Sequence, residues 1–176
     1  MRRQTNQDNE SHSQAMVSHT ARNRITERVR RLFGGKPCRL QVAALPWRKT
    51  GKGVEVMLIT SRDSGRWVLP KGWPEGREQL FDTAAREAAE EAGLGGAIAH
   101  LEIGSYFYGK VLPSGMERRC EVLVFPLEVD QIATAWPEKK ERNRKWFSPA
   151  EAAKLVKESD LGELIARFAE KPRLYA

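Results

Sequence analysis

Residues 72–94 read GWPEGREQLFDTAAREAAEEAGL, and the rest of the chain is arranged around them. Between Gln79 and Ala92 there are five alanines and neither proline nor glycine, so helix propensity is high. Gly93 then supplies the residue that commonly ends a helix. The stretch predicts a helix of about three to four turns. At about 100° per residue, Glu87, Glu90 and Glu91 fall at i, i+3 and i+4, so three carboxylates share one face. Like charges at this spacing repel, and Arg86, which reaches Glu90 at i+4, offsets only part of the repulsion. A hard divalent cation suits such a face: Mg²⁺ takes a few carboxylates, keeps several waters and shares its remaining positions with phosphate oxygens. The opposite side, Leu80, Ala84, Ala85, Ala88 and Ala92, is small and apolar, which lets the helix approach a sheet closely.

The chain has 176 residues, 40% hydrophobic and 30% charged, enough for one domain with a sizeable core. No apolar run approaches the roughly 18 residues of a membrane span, so no membrane partner is expected. The opening MRRQTNQDNESHSQ has charge but no hydrophobic region behind it, unlike a secretory signal, and a cytoplasmic location is expected. Cys38 and Cys120 show no CxxC spacing, and three histidines accompany them. A zinc site or disulfide framework is therefore not expected, and each cysteine reads as a small buried apolar residue. His100 follows an apolar stretch and reads as structural.

The net charge of +7 divides unevenly: residues 1–36 hold eight Lys/Arg against three Asp/Glu, leaving 22 against 20 for the rest. The sequence pI of about 9.6 thus describes mainly an N-terminal arm. Within it, Ile25, Val29, Leu32 and Phe33 make an apolar stripe among Arg22, Arg24, Arg28, Arg30 and Arg31. This predicts an amphipathic helix that docks its stripe on the body, with a second subunit or an anionic surface as the alternatives. The first 18 or so residues are polar and read as disordered. Gly34, Gly35, Lys36 and Pro37 mark the boundary between the arm, 1–36, and a domain over 37–176.

Beyond that boundary, residues 38–47 and 54–61 read as strands joined by RKTGKG, and 67–69 as a short third strand. Residues 97–110 and 116–129 predict a long hairpin about Pro113, Ser114 and Gly115, and 145–147 a further short strand. Ser148-Pro149-Ala150-Glu151 is a capping box opening a helix to about Val156. Asp160 with Glu163 predicts a second such start, for a final helix carrying Leu161, Leu164, Ile165 and Phe168. Helices and strands intermix, which predicts an α/β fold with helices on both sides of a mixed sheet.

Gly72, Glu78, Arg86, Glu87, Ala88, Glu90, Glu91, Gly93 and Leu94 stand in register with the Nudix box, G-x5-E-x7-R-E-U-x-E-E-x-G-U. The chain thereby resembles the Nudix hydrolase family, with Ala88 small for its position. The resemblance implies an alpha/beta/alpha sandwich over about residues 37–170 and hydrolysis of a phosphoanhydride. It makes Glu87, Glu90 and Glu91 ligands of Mg²⁺, with Mn²⁺ as a substitute, and the Gly72 carbonyl a further ligand. Arg86 would orient the glutamates and Glu78 support the loop. The general base is either Glu90 or a later carboxylate, Glu138 or Glu141.

A strongly anionic substrate needs arginine and lysine. Candidates are Arg62 and Arg66 before the box, Lys71 at its edge, Arg118 and Arg119 on the strand after it, and Arg142, Arg144 and Lys145 in ERNRKWF. Their order resembles the diphosphoinositol polyphosphate phosphohydrolase branch, which cleaves diphosphoinositol polyphosphates and diadenosine polyphosphates. Two departures stand out. Lys71-Gly72-Trp73 replaces a glycine triplet, and Arg119-Cys120 replaces a more basic and aromatic run. The alternatives are another nucleotide substrate (nucleoside triphosphate, ADP-ribose or an RNA 5′ end), for which Trp73, Tyr106 and Tyr108 offer stacking surfaces, or a non-enzymatic binding protein. Contact of the basic arm with nucleic acid is not favoured, and the oligomeric state stays open.

Overall fold

The computed structural model describes residues 19–111 and 115–172; the expectation of disorder in the first 18 residues lies outside the described part. The elements run α1 (His19–Leu32), β1 (Arg39–Thr50), β2 (Gly53–Thr60), β3 (Trp67–Val68), β4 (Lys71–Gly72), α2 (Leu80–Ala92), β5 (Leu94–Ile98), β6 (Gly104–Val111), β7 (Glu117–Ile132), β8 (Arg144–Phe147), α3 (Pro149–Leu155) and α4 (Ser159–Glu170). They form the expected α/β architecture, a mixed sheet between helices.

The sheet is built on β1 and β7, which pair in parallel from Arg39 opposite Cys120 to Trp47 opposite Glu128. Alternation along β1 then separates two cores. Ala43, Leu45 and Trp47 point to the side filled by Leu161, Leu164, Ile165 and Phe168 of α4. Val42 and Ala44 point to the side closed by Ala84, Ala88 and Ala92 of α2. Those three alanines are fully buried, so the small side chains that raise helix propensity also let α2 lie close to the sheet. Gly93 ends α2 at φ 63°, ψ 41°, its N–H bonded to the carbonyls of Ala88 and Ala89. β4 pairs with β1 at Val42 and Ala43, which pins Lys71 and Gly72 beside α2.

Four expectations are corrected. Residues 97–110 are not one strand: β5 pairs with the far half of β7 and β6 with its near half. The chain leaves the ladder between Ile98 and Gly104, where Ala99 N–H donates to Pro126 O and Ile103 N–H to Val124 O, and the bulge lies within β5 at Gly95 and Gly96. β1 and β2 continue past Trp47 to a tight turn at Gly51 and Lys52, held by Arg48 against Glu55 at 2.7 Å. α4 starts at Ser159 with Glu158 before it, so Asp160 is not a cap. Its buried carboxylate instead accepts from Phe107 N–H and Asn23 Nδ2, both at 2.9 Å. By contrast, Ser148 and Glu151 form the expected capping box.

The fourth correction concerns α1. Its polar residues face the body: Asn23 bonds Asp160, and buried Glu27 pairs with Arg30 at 2.7 Å and Arg119 at 3.4 Å. The Arg30 hydrogen bond, with smaller help from Arg119, holds the Glu27 carboxyl below its ordinary value despite burial. Ile25, Val29, Leu32 and Phe33, expected to dock, are exposed. Among the described residues no helix is long and apolar enough to cross a membrane.

Candidate active site

A cleft of about 590 Å³ opens where β4, the first face of α2, residues 61–66, the end of β6 and the segment before β8 meet. Gly72, Glu87, Glu91, Glu138, Arg62, Arg66, Lys71 and Arg142 all line it. The structure thus gathers residues far apart in the chain, as the partnership of Arg62 with Glu138 and Glu141 at 3.3 and 3.2 Å illustrates.

Arg86 sits among four glutamates. Nε lies 3.4 Å from Glu78, and Nη1 lies 3.1 Å from Glu87 and 3.3 Å from Glu90. Its buried Nη2 makes no hydrogen bond among the described residues, with Glu75 at 3.8 Å. Glu78, which also accepts from Thr83 Oγ1 at 2.9 Å, fixes the guanidinium from the loop side. Arg86 is thereby held between Glu78 and the glutamates of α2.

Glu91 is 7% exposed and is held from two directions. One oxygen accepts from Lys71 N–H at 2.9 Å, the other from buried Arg142. Arg142 continues to Glu138 through Nε and to Thr60 O through Nη1, so one guanidinium joins α2, the β2 end and the late loop. Glu138 N–H in turn donates to Glu90 O at 3.2 Å, which seats that loop on the C-terminal half of α2. Burial raises the Glu91 carboxyl above its ordinary value, opposed by Lys71 N–H and by Arg142. Burial, with the charges of Glu91 and Glu90, pushes Glu87 up to about 7 against the pull of Arg86. Burial of the Lys71 amine lowers its pKa from the ordinary lysine value, opposed by Glu91.

Gly72 is where the loop and the helix touch most closely. A Cβ built on it would fall inside the Glu87 carboxylate, so only glycine lets that carboxylate lie on the backbone. Among the described residues no three acidic side chains converge to hold an ion as they stand. The helical face is shared as expected, but Arg142 draws Glu91 one way while Arg86 draws Glu87 and Glu90 the other. The donor chemistry nevertheless fits a hard divalent cation. It comprises carboxylate oxygens, one of them raised to about 7 by crowding and burial, beside a glycine whose backbone is open to them.

Three of the expected phosphate contacts lie elsewhere. Arg118 and Arg119 line a second cavity with Arg30 and Lys36, where Arg119 serves Glu27. Arg144 is bound to the carbonyls of Ala92, Gly93 and Ala133 and stacks 3.9 Å over Trp136, so it closes the end of α2. Tyr106 is buried, whereas Tyr108 lines the cleft, its hydroxyl on Gln41. Sequence reading missed Gln41, Lys110 and Lys157 in the lining. The polar Gln41 inside the apolar run LQVAAL was the available signal for the first; the two lysines carried none.

A mixed sheet carrying a glutamate-faced helix beside a cleft where arginines and lysines meet carboxylates is the arrangement of an enzyme of phosphoryl chemistry. The chain belongs to the NUDIX domain family, whose model matches residues 38–168, and is a hydrolase of that family. It is 31% identical over 144 residues to Nudix hydrolase 12, mitochondrial, of Arabidopsis thaliana, covering 77% of this chain and 70% of that protein. It is 29% identical over 118 residues to diphosphoinositol polyphosphate phosphohydrolase 3-alpha of Mus musculus, covering 66% and 68%. The chain spans about two thirds of the length of these relatives. The fold is shared with the C. elegans Ap4A hydrolase at 20% identity and a TM-score of 0.54, over 76% of this chain and 97% of that one.

Proposed function

We propose that the protein is a Mg²⁺-dependent pyrophosphohydrolase of highly phosphorylated substrates, of diadenosine polyphosphate or diphosphoinositol polyphosphate type. One observation carries the reading: Glu87, Glu91 and Glu138 share a single cleft with Arg62, Arg66 and Lys71. Glu87, Glu90 and Glu91, with the Gly72 carbonyl, would hold the cation. When bound, it supplies Lewis acidity toward phosphate oxygens and a more acidic water.

The chain's own groups do the rest. Lys71, Arg66 and Arg62 bind and orient the phosphates and offset charge as it builds on the leaving group. A water oxygen adds to phosphorus, the bridging P–O bond breaks toward the leaving phosphate, and Glu138 takes the water proton. Arg142, bonded to both Glu138 and Glu91, fixes the base relative to the glutamate face. Glu141 shares Arg62 with Glu138 but is 51% exposed, so Glu138 is the better-held base.

The state of Trp73 favours recognition through the phosphates rather than through a base stacked on this ring. Arg39 lies 4.1 Å over its ring and Lys110 5.1 Å from it, so cations already occupy the indole. Inositol hexakisphosphate should therefore compete with diadenosine hexaphosphate hydrolysis more strongly than ATP or ADP-ribose does. Stronger competition by the nucleotides would transfer the assignment to a base-reading substrate class.

A further inference from the structure

Helix α1 is mounted with its polar side inward. Asn23, Glu27 and Arg30, at i, i+4 and i+7, face the body, where Asn23 meets Asp160 and Glu27 meets Arg119. On the other side Ile25, Val29 and Leu32 repeat the same spacing, with Phe33 beside them. They are 59%, 46%, 84% and 86% exposed. At about 100° per residue Val29 lies about 160° from Glu27, so the apolar stripe points away from the protein.

The charge around the stripe selects what covers it. Exposed Arg28 lies one turn before Leu32, and exposed Arg22 continues the stripe seven residues before Val29. The one acidic residue in the helix, Glu27, is buried against Arg30 and Arg119. A second copy laid along this stripe would bring arginine to arginine with no exposed acid from the helix to meet it. Four apolar side chains are also few beside the roughly 20–30 residues a side of a stable protein interface. The cavity of about 450 Å³ beside the last turns adds Lys36, Arg39 and Arg118 against Glu117. Arg30 also lines it.

We propose that α1 docks the protein on an anionic lipid surface, with Ile25, Val29, Leu32 and Phe33 entering the interface and the flanking arginines meeting headgroup phosphates. An exposed apolar stripe edged by arginine is the pattern of a helix lying in the plane of a bilayer, and polybasic neighbours strengthen it. The expectation of no membrane partner rested on the lack of a spanning run. It does not bear on a helix lying in the interface.

The test is flotation of the full chain with phosphatidylcholine vesicles, with and without about one third phosphatidylglycerol, in about 0.1 M salt. The wild type should float with the anionic vesicles and at least about tenfold less with the neutral ones. Leu32→Ser with Phe33→Ser, and separately Arg22→Glu with Arg28→Glu, should each lose at least about tenfold of that binding. Their melting temperature and hydrolysis should stay unchanged, because these side chains are exposed and outside the cleft. Wild type left in solution, or the apolar variant binding as before, overturns the proposal. So does a wild-type dimer in light scattering that the apolar variant converts to monomer, which assigns the stripe to a second copy.

Discussion

Gly72→Ala separates the site from the fold. The backbone of Gly72 is not in the left-handed region, so alanine meets no conformational strain there. The added Cβ overlaps the Glu87 carboxylate, and restoring van der Waals contact moves that carboxylate by more than about 1 Å. Because the displaced atoms end a flexible side chain, the loss of stability should stay below about 1 kcal/mol, a fall of no more than about 4 °C for a chain this size. A misplacement of about 1 Å at a reacting centre can cost about 10²-fold, so kcat/KM should fall by about that factor. The assay is steady-state hydrolysis across a Mg²⁺ series beside thermal unfolding. Gly51→Ala is the control, since its Cβ would meet open space. Activity within about threefold of wild type would refute the closeness argument. A fall of more than about 10 °C would show that the glycine supports the fold instead.

Without metal, stability should decline as pH rises from about 4.5 to about 7, because folded Glu87 keeps a proton there that the unfolded chain has released. Scanning fluorimetry at pH 5 and pH 8 should accordingly show a larger gain from Mg²⁺ at pH 8. Arg142→Ala strips Glu91 and Glu138 of a shared buried partner and should cost about 3 kcal/mol, or about 6–12 °C in melting temperature. Denaturant titration checks this, and Arg142→Lys should recover only part, since lysine cannot bridge both carboxylates in one plane. Lys71→Ala and Arg66→Ala should raise KM about tenfold. Arg118→Ala, outside the cleft, should leave kcat/KM within about twofold in the same assay.

What the sequence made legible was local. α2 could be read whole because one 3.6-residue period carries both its glutamate face and its buried alanines, and Gly93 ends it where expected. The parallel pairing of β1 with β7 joins segments about 80 residues apart and leaves no local trace. Without it, Arg118 and Arg119 cannot be placed at the cavity beside α1 and Arg142 in the cleft beside α2. Arg142 and Arg144 look equivalent in ERNRKWF, yet one is buried between carboxylates and the other closes a helix end. The stripe on α1 was visible, but its direction was not. Docking was decided by Glu27 finding Arg119, a pair 92 residues apart.

The central claim is that the glutamate face of α2 serves a cation-dependent hydrolysis in this cleft. It is tested most directly by product release from diadenosine hexaphosphate, with Mg²⁺ and with chelator, for the wild type beside Glu91→Gln. The account predicts turnover that needs the cation and falls by at least about 10²-fold in the variant. Turnover that persists in chelator, or a variant as active as the wild type, would contradict it.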